Sequence, residues 1–319
     1  MTKDILNKTL CIILIAFIAT FSGCKSNDDG EAVIFNSSES SFIAQNNEFY
    51  YLSENNGISA VSKNNAEKFN LLRDPFQSGE TMNCLIALCN NGLYYCDINS
   101  SEPSINKLLL STLISENVFS TNKNYTGFLE TSINNSFNSE NLIYNFFTDG
   151  GTIYTRFHGK DGVFRLKNGE FERVIFDRIY NDQFSFNGKY SFYINSAREL
   201  VRFDMTSRES KIIETNFANA VYFDGTRVLF SDKSGIFTLS PNTLQVEMLT
   251  DKTADELSSD GENIVFSKGN VLYCLKNGVI ELKRFDNILN FAVISGTNTA
   301  IVKYFEDGEY KTELWELPI

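Results

Sequence analysis

The sequence predicts an all-β fold: a β-propeller of four-stranded antiparallel blades, seven in number, with the ring closed by an N-terminal strand. Three observations lead there. A glycine in a polar turn recurs at Gly151, Gly188, Gly225, Gly261 and Gly296, at steps of 37, 37, 36 and 35 residues. Each is followed by an alternating apolar stretch, a second turn and further alternating stretches, as in "TIYTRF" (152–157) with "GVFRLK" (162–167), or "RVLFSD" (227–232) with "GIFTLS" (235–240). Nothing between them carries a helical period long enough for the crossover that a parallel sheet requires. Period-2 alternation buries a face of each strand against a neighbouring blade, and Asn/Asp-Gly turns supply the positive φ of tight hairpins. A four-strand unit repeated in this way is the pattern of a propeller blade.

The chain begins with a different signal. Lys3 and Lys8 precede an apolar run of 12 residues from Leu10 to Phe21. A membrane-spanning helix needs about 20 such residues, whereas a secretory signal peptide needs fewer. The run ends in Phe21-Ser22-Gly23-Cys24, which resembles the bacterial lipobox, with Phe21 where that pattern prefers Leu. The resemblance implies a lipoprotein: residues 1–23 are the signal peptide, and Cys24 becomes the lipidated N-terminus, carrying diacylglycerol and palmitate-type acyl chains. Each buried CH2 contributes ~0.8 kcal/mol, so two or three chains anchor a protein stably. A polar tether follows, residues 24–31, whose "KSNDDGE" is similar to surface-export signals of Bacteroidota lipoproteins.

The propeller is expected over residues 32–319. "NEFYYLSENNGISAVSKNNAEKFNLL" (47–72) reads as one blade and "CLIALCNNGLYYCDINSSEPSINKLLL" (84–110) as a second. Between Gly92 and Gly151 the step is 59 residues, and the excess falls in the Ser- and Asn-rich stretch 111–140, read as an insertion. Five further units follow the recurring glycines. The last, from Ile288 to Ile319, supplies three strands, and "EAVIFN" (31–36) is the expected fourth, tying the ends of the ring together.

Several second strands end in related tetrads: Tyr51-Leu52-Ser53-Glu54, Tyr94-Tyr95-Cys96-Asp97, Leu229-Phe230-Ser231-Asp232 and Val265-Phe266-Ser267-Lys268. They resemble a degenerate YWTD repeat of LDL-receptor-type propellers. Over most of residues 32–319 the chain is similar to bacterial lipoproteins of unknown function with such a domain, and more distantly to TolB-like propellers. The Trp of the repeat is missing; the single tryptophan is Trp315. The resemblance implies a propeller, and by analogy an interaction with protein or glycan.

Composition narrows the chemistry. The formal charge is −12, and −13 once residues 1–23 are removed, so a phosphate backbone is repelled and nucleic acid is excluded as a partner. Cys84, Cys89 and Cys96 lack zinc-type CxxC spacing and have no histidine near them. With Cys274 they read first as small core hydrophobes, with a disulfide as the alternative. The single histidine, His158, lies in the polar turn "RFHGKDG", and no GxSxG elbow is present. "SDKSGIFT" (231–238) bears a partial likeness to a sialidase Asp-box with altered spacing. No residue is assigned a catalytic, metal or cofactor role, and no cofactor is expected. Abundant Phe and Tyr fall mostly at alternating strand positions, which indicates core, while any exposed at one rim would stack on sugars or anchor a peptide.

The expectation is a lipid-anchored binding platform in the bacterial cell envelope, non-enzymatic, with a protein or glycan partner and one rim as its working surface. Two other readings remain. A carbohydrate-active hydrolase needs two carboxylates about 5–9 Å apart in the axial mouth. A subunit of an envelope complex needs a flat apolar patch at the rim.

Overall fold

The computed structural model describes residues 43–54, 57–73, 84–90, 92–97, 104–120, 143–148, 151–157, 160–167, 170–307 and 309–318. Among them are 27 strands and no helix. Blade 1 is β1 (Ile43–Gln45), β2 (Phe49–Glu54), β3 (Gly57–Ser62) and β4 (Lys68–Arg73). Blade 2 is β5 (Cys84–Cys89), β6 (Gly92–Asp97), β7 (Ser104–Leu109) and β8 (Ile114–Ser120). Blade 3 is β9 (Ile143–Thr148), β10 (Ile153–Phe157), β11 (Val163–Lys167) and β12 (Glu170–Ile175). Blade 4 is β13 (Ile179–Phe186), β14 (Tyr190–Asn195), β15 (Leu200–Asp204) and β16 (Ser210–Ile213). Blade 5 is β17 (Ala220–Phe223), β18 (Val228–Asp232), β19 (Gly235–Leu239) and β20 (Val246–Thr250). Blade 6 is β21 (Glu256–Ser259), β22 (Ile264–Lys268), β23 (Val271–Leu275) and β24 (Val279–Arg284). Blade 7 is β25 (Asn287–Ile294), β26 (Thr299–Glu306) and β27 (Glu309–Glu316). Each is an antiparallel meander, giving six four-stranded sheets and one of three strands.

The sequence reading of a seven-bladed propeller therefore holds. One boundary moves: Ile114–Ser120, read as the start of an insertion, is the outer strand of blade 2. The remaining excess, residues 121–142, lies outside the described residues. So do residues 1–42, which include Cys24 and the proposed closing strand 31–36.

The recurring turns have one cause. Asn46, Asn187, Asp224 and Asp260 each accept, through Oδ1, the backbone N–H groups two and three residues on, at 2.6–3.1 Å. Such a side chain closes the turn before the hairpin forms. Gly235 answers a different demand. It starts β19 at φ +156, and a Cβ there would overlap the carbonyl oxygen of Thr250. The register between β19 and β20 shifts at the adjacent Ile236/Phe237 step, a bulge that brings the outer strand close.

Cores lie between blades. Cys89 and Cys96 pack with Phe119, Phe157, Phe164 and Phe171 between blades 2 and 3, and Cys274 is also buried, which fits the core reading. The Cys84 side chain lies outside the described residues. One cluster joins blades 7, 1 and 2: Ile294 and Ile301 meet Ala44, Tyr50, Tyr51 and Ile58, which in turn meet Ile86 and Tyr95. Blade 7 thus packs directly on blade 1.

An inner strand pairs on one side only, so its other edge presents N–H groups that need partners. Side chains of the neighbouring blade supply them. Gln183 Oε1 accepts Val221 N–H at 2.9 Å, Ser258 Oγ accepts Val293 N–H at 2.9 Å, and Gln45 Oε1 accepts Ser295 N–H at 3.1 Å across the closure. Lys63 Nζ also crosses it, donating to Ser295 O at 2.9 Å. Burial lowers the Lys63 pKa from 10.5 to about 8, with Asp260 opposing. Between those values the unfolded chain holds more protons than the folded one, so the Lys63 contribution to stability rises with pH across that window. Urea unfolding is expected to show wild type gaining on Lys63→Gln as pH goes from about 7.5 to about 10. A difference that stays flat or shrinks would contradict this.

Candidate functional site

In a meander, the turn between the second and third strands and the connection to the next blade emerge on one face of the ring. On that face, blades 3 to 5 carry a series of aromatic–cation pairs. Phe176, in the connection from β12 to β13, is 55% exposed, and the Arg173 guanidinium lies 4.8 Å from its ring centroid while donating to Phe176 O at 3.1 Å. Tyr180 follows at the start of β13. Arg198, in the β14–β15 turn, lies 4.1 Å from that ring, donates to the Tyr180 hydroxyl at 2.8 Å and donates from Nε to Ala218 O at 2.7 Å. Ala218 adjoins Phe217, which is 52% exposed with the Lys233 ammonium 3.8 Å from its ring centroid. Backbone and side chains thus link blade 4 to blade 5 along the rim.

Three of the nine non-glycine residues with positive φ among the described residues lie here. Phe217 has φ 58, Arg198 φ 66 and Asn181 φ 42. A bulky side chain in the left-handed region costs on the order of 1–2 kcal/mol and persists only where its surroundings hold it. Around Phe217 they do: Asn216 N–H donates to Asp232 Oδ2 at 2.8 Å, Asn216 Nδ2 to Ser234 Oγ at 3.2 Å, and Lys233 N–H to Asn216 O at 3.0 Å. Asn181 sits in a large bulge of β13. Ile179 pairs with Asn195 and Phe184 with Tyr193, so residues 180–183 stand opposite Ile194 alone. Bulges of this kind re-aim side chains and concentrate beside functional sites.

The sequence-stated candidates fall as follows. "SDKSGIFT" reaches this rim, but Asp232 is 4% exposed and its oxygens accept Asn216 N–H and Ser234 N–H, so it fastens the turn. His158 and Cys24 lie outside the described residues. Among the described inner strands the only carboxylates are Asp182 and Glu256, two blades apart. The amides and hydroxyls that line these strands, Gln45, Gln183 and Ser258, are used in holding blades together. On the opposite face, an open recess of about 560 Å³ beside blade 5 is lined by Thr226, Arg227, Thr238, Gln245 and Glu247. Its arginine is committed to Asp224 at 2.9 Å and to Gly261 O at 3.2 Å.

No family model matches the chain, and no curated protein matches it. Solved structures do. PorZ, a bacterial surface component of the type-IX secretion system of Porphyromonas gingivalis, is 13% identical with a TM-score of 0.54 over 90% of this chain. This chain spans only 39% of PorZ. The β-propeller domain of Cps50 (Swd1) from Myceliophteria thermophila is 10% identical with a TM-score of 0.56, over 89% of this chain and 99% of that one. The extracellular domain of a hybrid two-component system protein from B. thetaiotaomicron is 11% identical with a TM-score of 0.53, over 89% of this chain and 40% of that one. Likeness at these identities is likeness of fold.

Proposed function

We propose that this protein is a lipoprotein held in the bacterial envelope by acyl chains on Cys24, and that it works as a non-enzymatic platform for a protein or glycan. Its binding surface is the rim of blades 3 to 5. The observation that carries this reading is Phe217: a half-exposed phenyl ring fixed in a costly backbone conformation with an ammonium against one face. Stability alone disfavours that arrangement, whereas a contact residue gains from it, because a pre-ordered aromatic anchor loses little entropy on binding. Likeness of fold to a bacterial surface component of a secretion system and to the extracellular domain of a hybrid two-component system protein agrees with such a role.

Asn accepts the left-handed region readily. Phe217→Asn is therefore expected to keep or slightly raise the melting temperature while abolishing capture. Crosslinking of intact cells carrying the anchored chain, followed by mass spectrometry, reads a protein partner; residues 25–319 on a glycan panel read a sugar. Equal capture by wild type and Phe217→Asn in both formats would remove this rim from the function. The anchor is tested separately: Cys24→Ser is expected to lose acyl labelling and to leave the membrane fraction, and retention of both would refute lipidation at that residue.

A further inference from the structure

A second aromatic arrangement lies away from that rim, on the perimeter between blades 6 and 7. Phe285, just after β24, is 4% exposed; Tyr304, on β26, is 1% exposed; Trp315, on β27, is half-buried. Their rings are walls and not a stack. Phe285 meets Tyr304 at 4.7 Å and 53°, and Trp315 at 6.0 Å and 76°. Into the space between them reaches Lys283 from the outer strand of blade 6. Its ammonium lies 4.7 Å from the Trp315 centroid, 4.8 Å from Phe285 and 5.3 Å from Tyr304, with Glu313 Oε2 at 3.8 Å. The Glu313 carboxyl is held below its ordinary range, first by the Tyr304 hydroxyl and then by Lys283.

Three ring faces and one carboxylate around a cation form an aromatic cage. Such a cage suits a quaternary ammonium better than a primary one. A trimethylammonium group has no N–H to satisfy and is weakly hydrated, so ring faces replace its surroundings at little cost. A lysine ammonium is a compact, strongly hydrated charge, and here it exchanges water for ring faces and one carboxylate at 3.8 Å, beyond hydrogen-bond distance. The Lys283 side chain is 29% exposed, sits on an outer strand and has a flexible stem, so it can swing outward. We propose that the aromatic cage at the blade 6–7 perimeter is a binding site for a trimethylammonium group, with Lys283 as a built-in plug that such a ligand displaces.

Trp315 is the only tryptophan, so its fluorescence reports on this cage alone. The full chain is titrated with tetramethylammonium chloride, with sodium chloride and ammonium chloride at matched ionic strength as controls. A saturable change is expected for tetramethylammonium only. Lys283→Ala is expected to bind it about tenfold tighter, because the competing ammonium is gone. Glu313→Gln is expected to weaken it several-fold. Lys283→Gln, which keeps most of the stem, serves if the alanine variant loses its far-UV spectrum. Choline and Nε-trimethyllysine then distinguish a small metabolite from a modified protein side chain. A folded plug-less variant that gives no saturable response, or one that responds equally to ammonium chloride, overturns the proposal.

Discussion

A chain ending at Asp307 is expected to be recovered without cooperative thermal unfolding, largely in insoluble form. That truncation removes β27, and β27 is more than an edge. It pairs with β26 over its whole length, from Thr299↔Glu316 to Glu306↔Glu309. It also brings Trp315 against a core that includes Leu317, 2% exposed, beside Val265, Phe291 and Val302. Beyond it, Leu317 N–H donates to Asn298 O at 2.9 Å, Asn298 Nδ2 to Leu317 O at 2.6 Å and Lys276 Nζ to Pro318 O at 3.0 Å. The buried Leu317 contributes about 1.5–3 kcal/mol, and the half-buried Trp315 adds a smaller amount. The lost ladder and the uncovered β26 edge bring the total to about 5 kcal/mol or more, comparable with the net stability of an ordinary domain. Far-UV circular dichroism during heating, with size-exclusion of the soluble fraction, checks it. A soluble truncated chain melting within a few degrees of the full one would show that blade 7 stands without its last strand.

Phe157→Ala is expected to destabilise the ring by about 3–5 kcal/mol, the range for a fully buried aromatic truncated to a methyl group. Phe157 has no solvent exposure and holds the blade 2–3 interface edge-on, 5.2 Å from Phe164 and 4.9 Å from Phe171, while Phe171 meets Phe119 at 4.8 Å. These four rings come from four strands and cannot close over the gap without shifting two sheets, so a cavity remains. For a protein of this size the melting temperature is expected to fall by roughly 10 °C. A loss below about 1 kcal/mol, measured by urea unfolding, would mean that the interface repacks freely. Phe157→Leu, which keeps much of the volume, is expected to recover part of the loss.

The architecture was legible because its determinants are local. An Asx residue two or three positions before the N–H it caps, or a strand alternating with period two, is visible in ten residues. The outer strand of blade 2 carries determinants of the same local kind. Thr112-Leu113 matches Thr243-Leu244, where Leu113 and Leu244 both take positive φ in the turn before an outer strand. The Ser/Asn-rich composition of the following residues masked the alternation in "ISENVFS". The rim was not legible, for a physical reason. Phe176 and Phe217 have the same composition as core phenylalanines, and their exposure follows from lying in inter-blade connections whose geometry depends on Arg173, Lys233 and Asn216. Alternation identifies a strand face but not which turns converge on one end of a ring. The cage was hidden in the same way, since Lys283, Tyr304 and Trp315 stand on three strands of two blades.

The contact between Gln45 and Ser295 joins positions 250 residues apart. Hairpins form in microseconds from neighbours in the chain, but this junction waits for the entire polypeptide and carries the loop-closure entropy of nearly all of it. Folding is therefore expected to be limited by one late event, with blades accumulating in order from the N-terminus while the first blade keeps an unpartnered flank. During that interval Ala44, Tyr50 and Ile58 lack their blade 7 neighbours and face solvent or another half-made chain. The period of greatest aggregation risk is then set by how quickly the last thirty or so residues arrive, a kinetic vulnerability that the stability of the finished ring does not reveal.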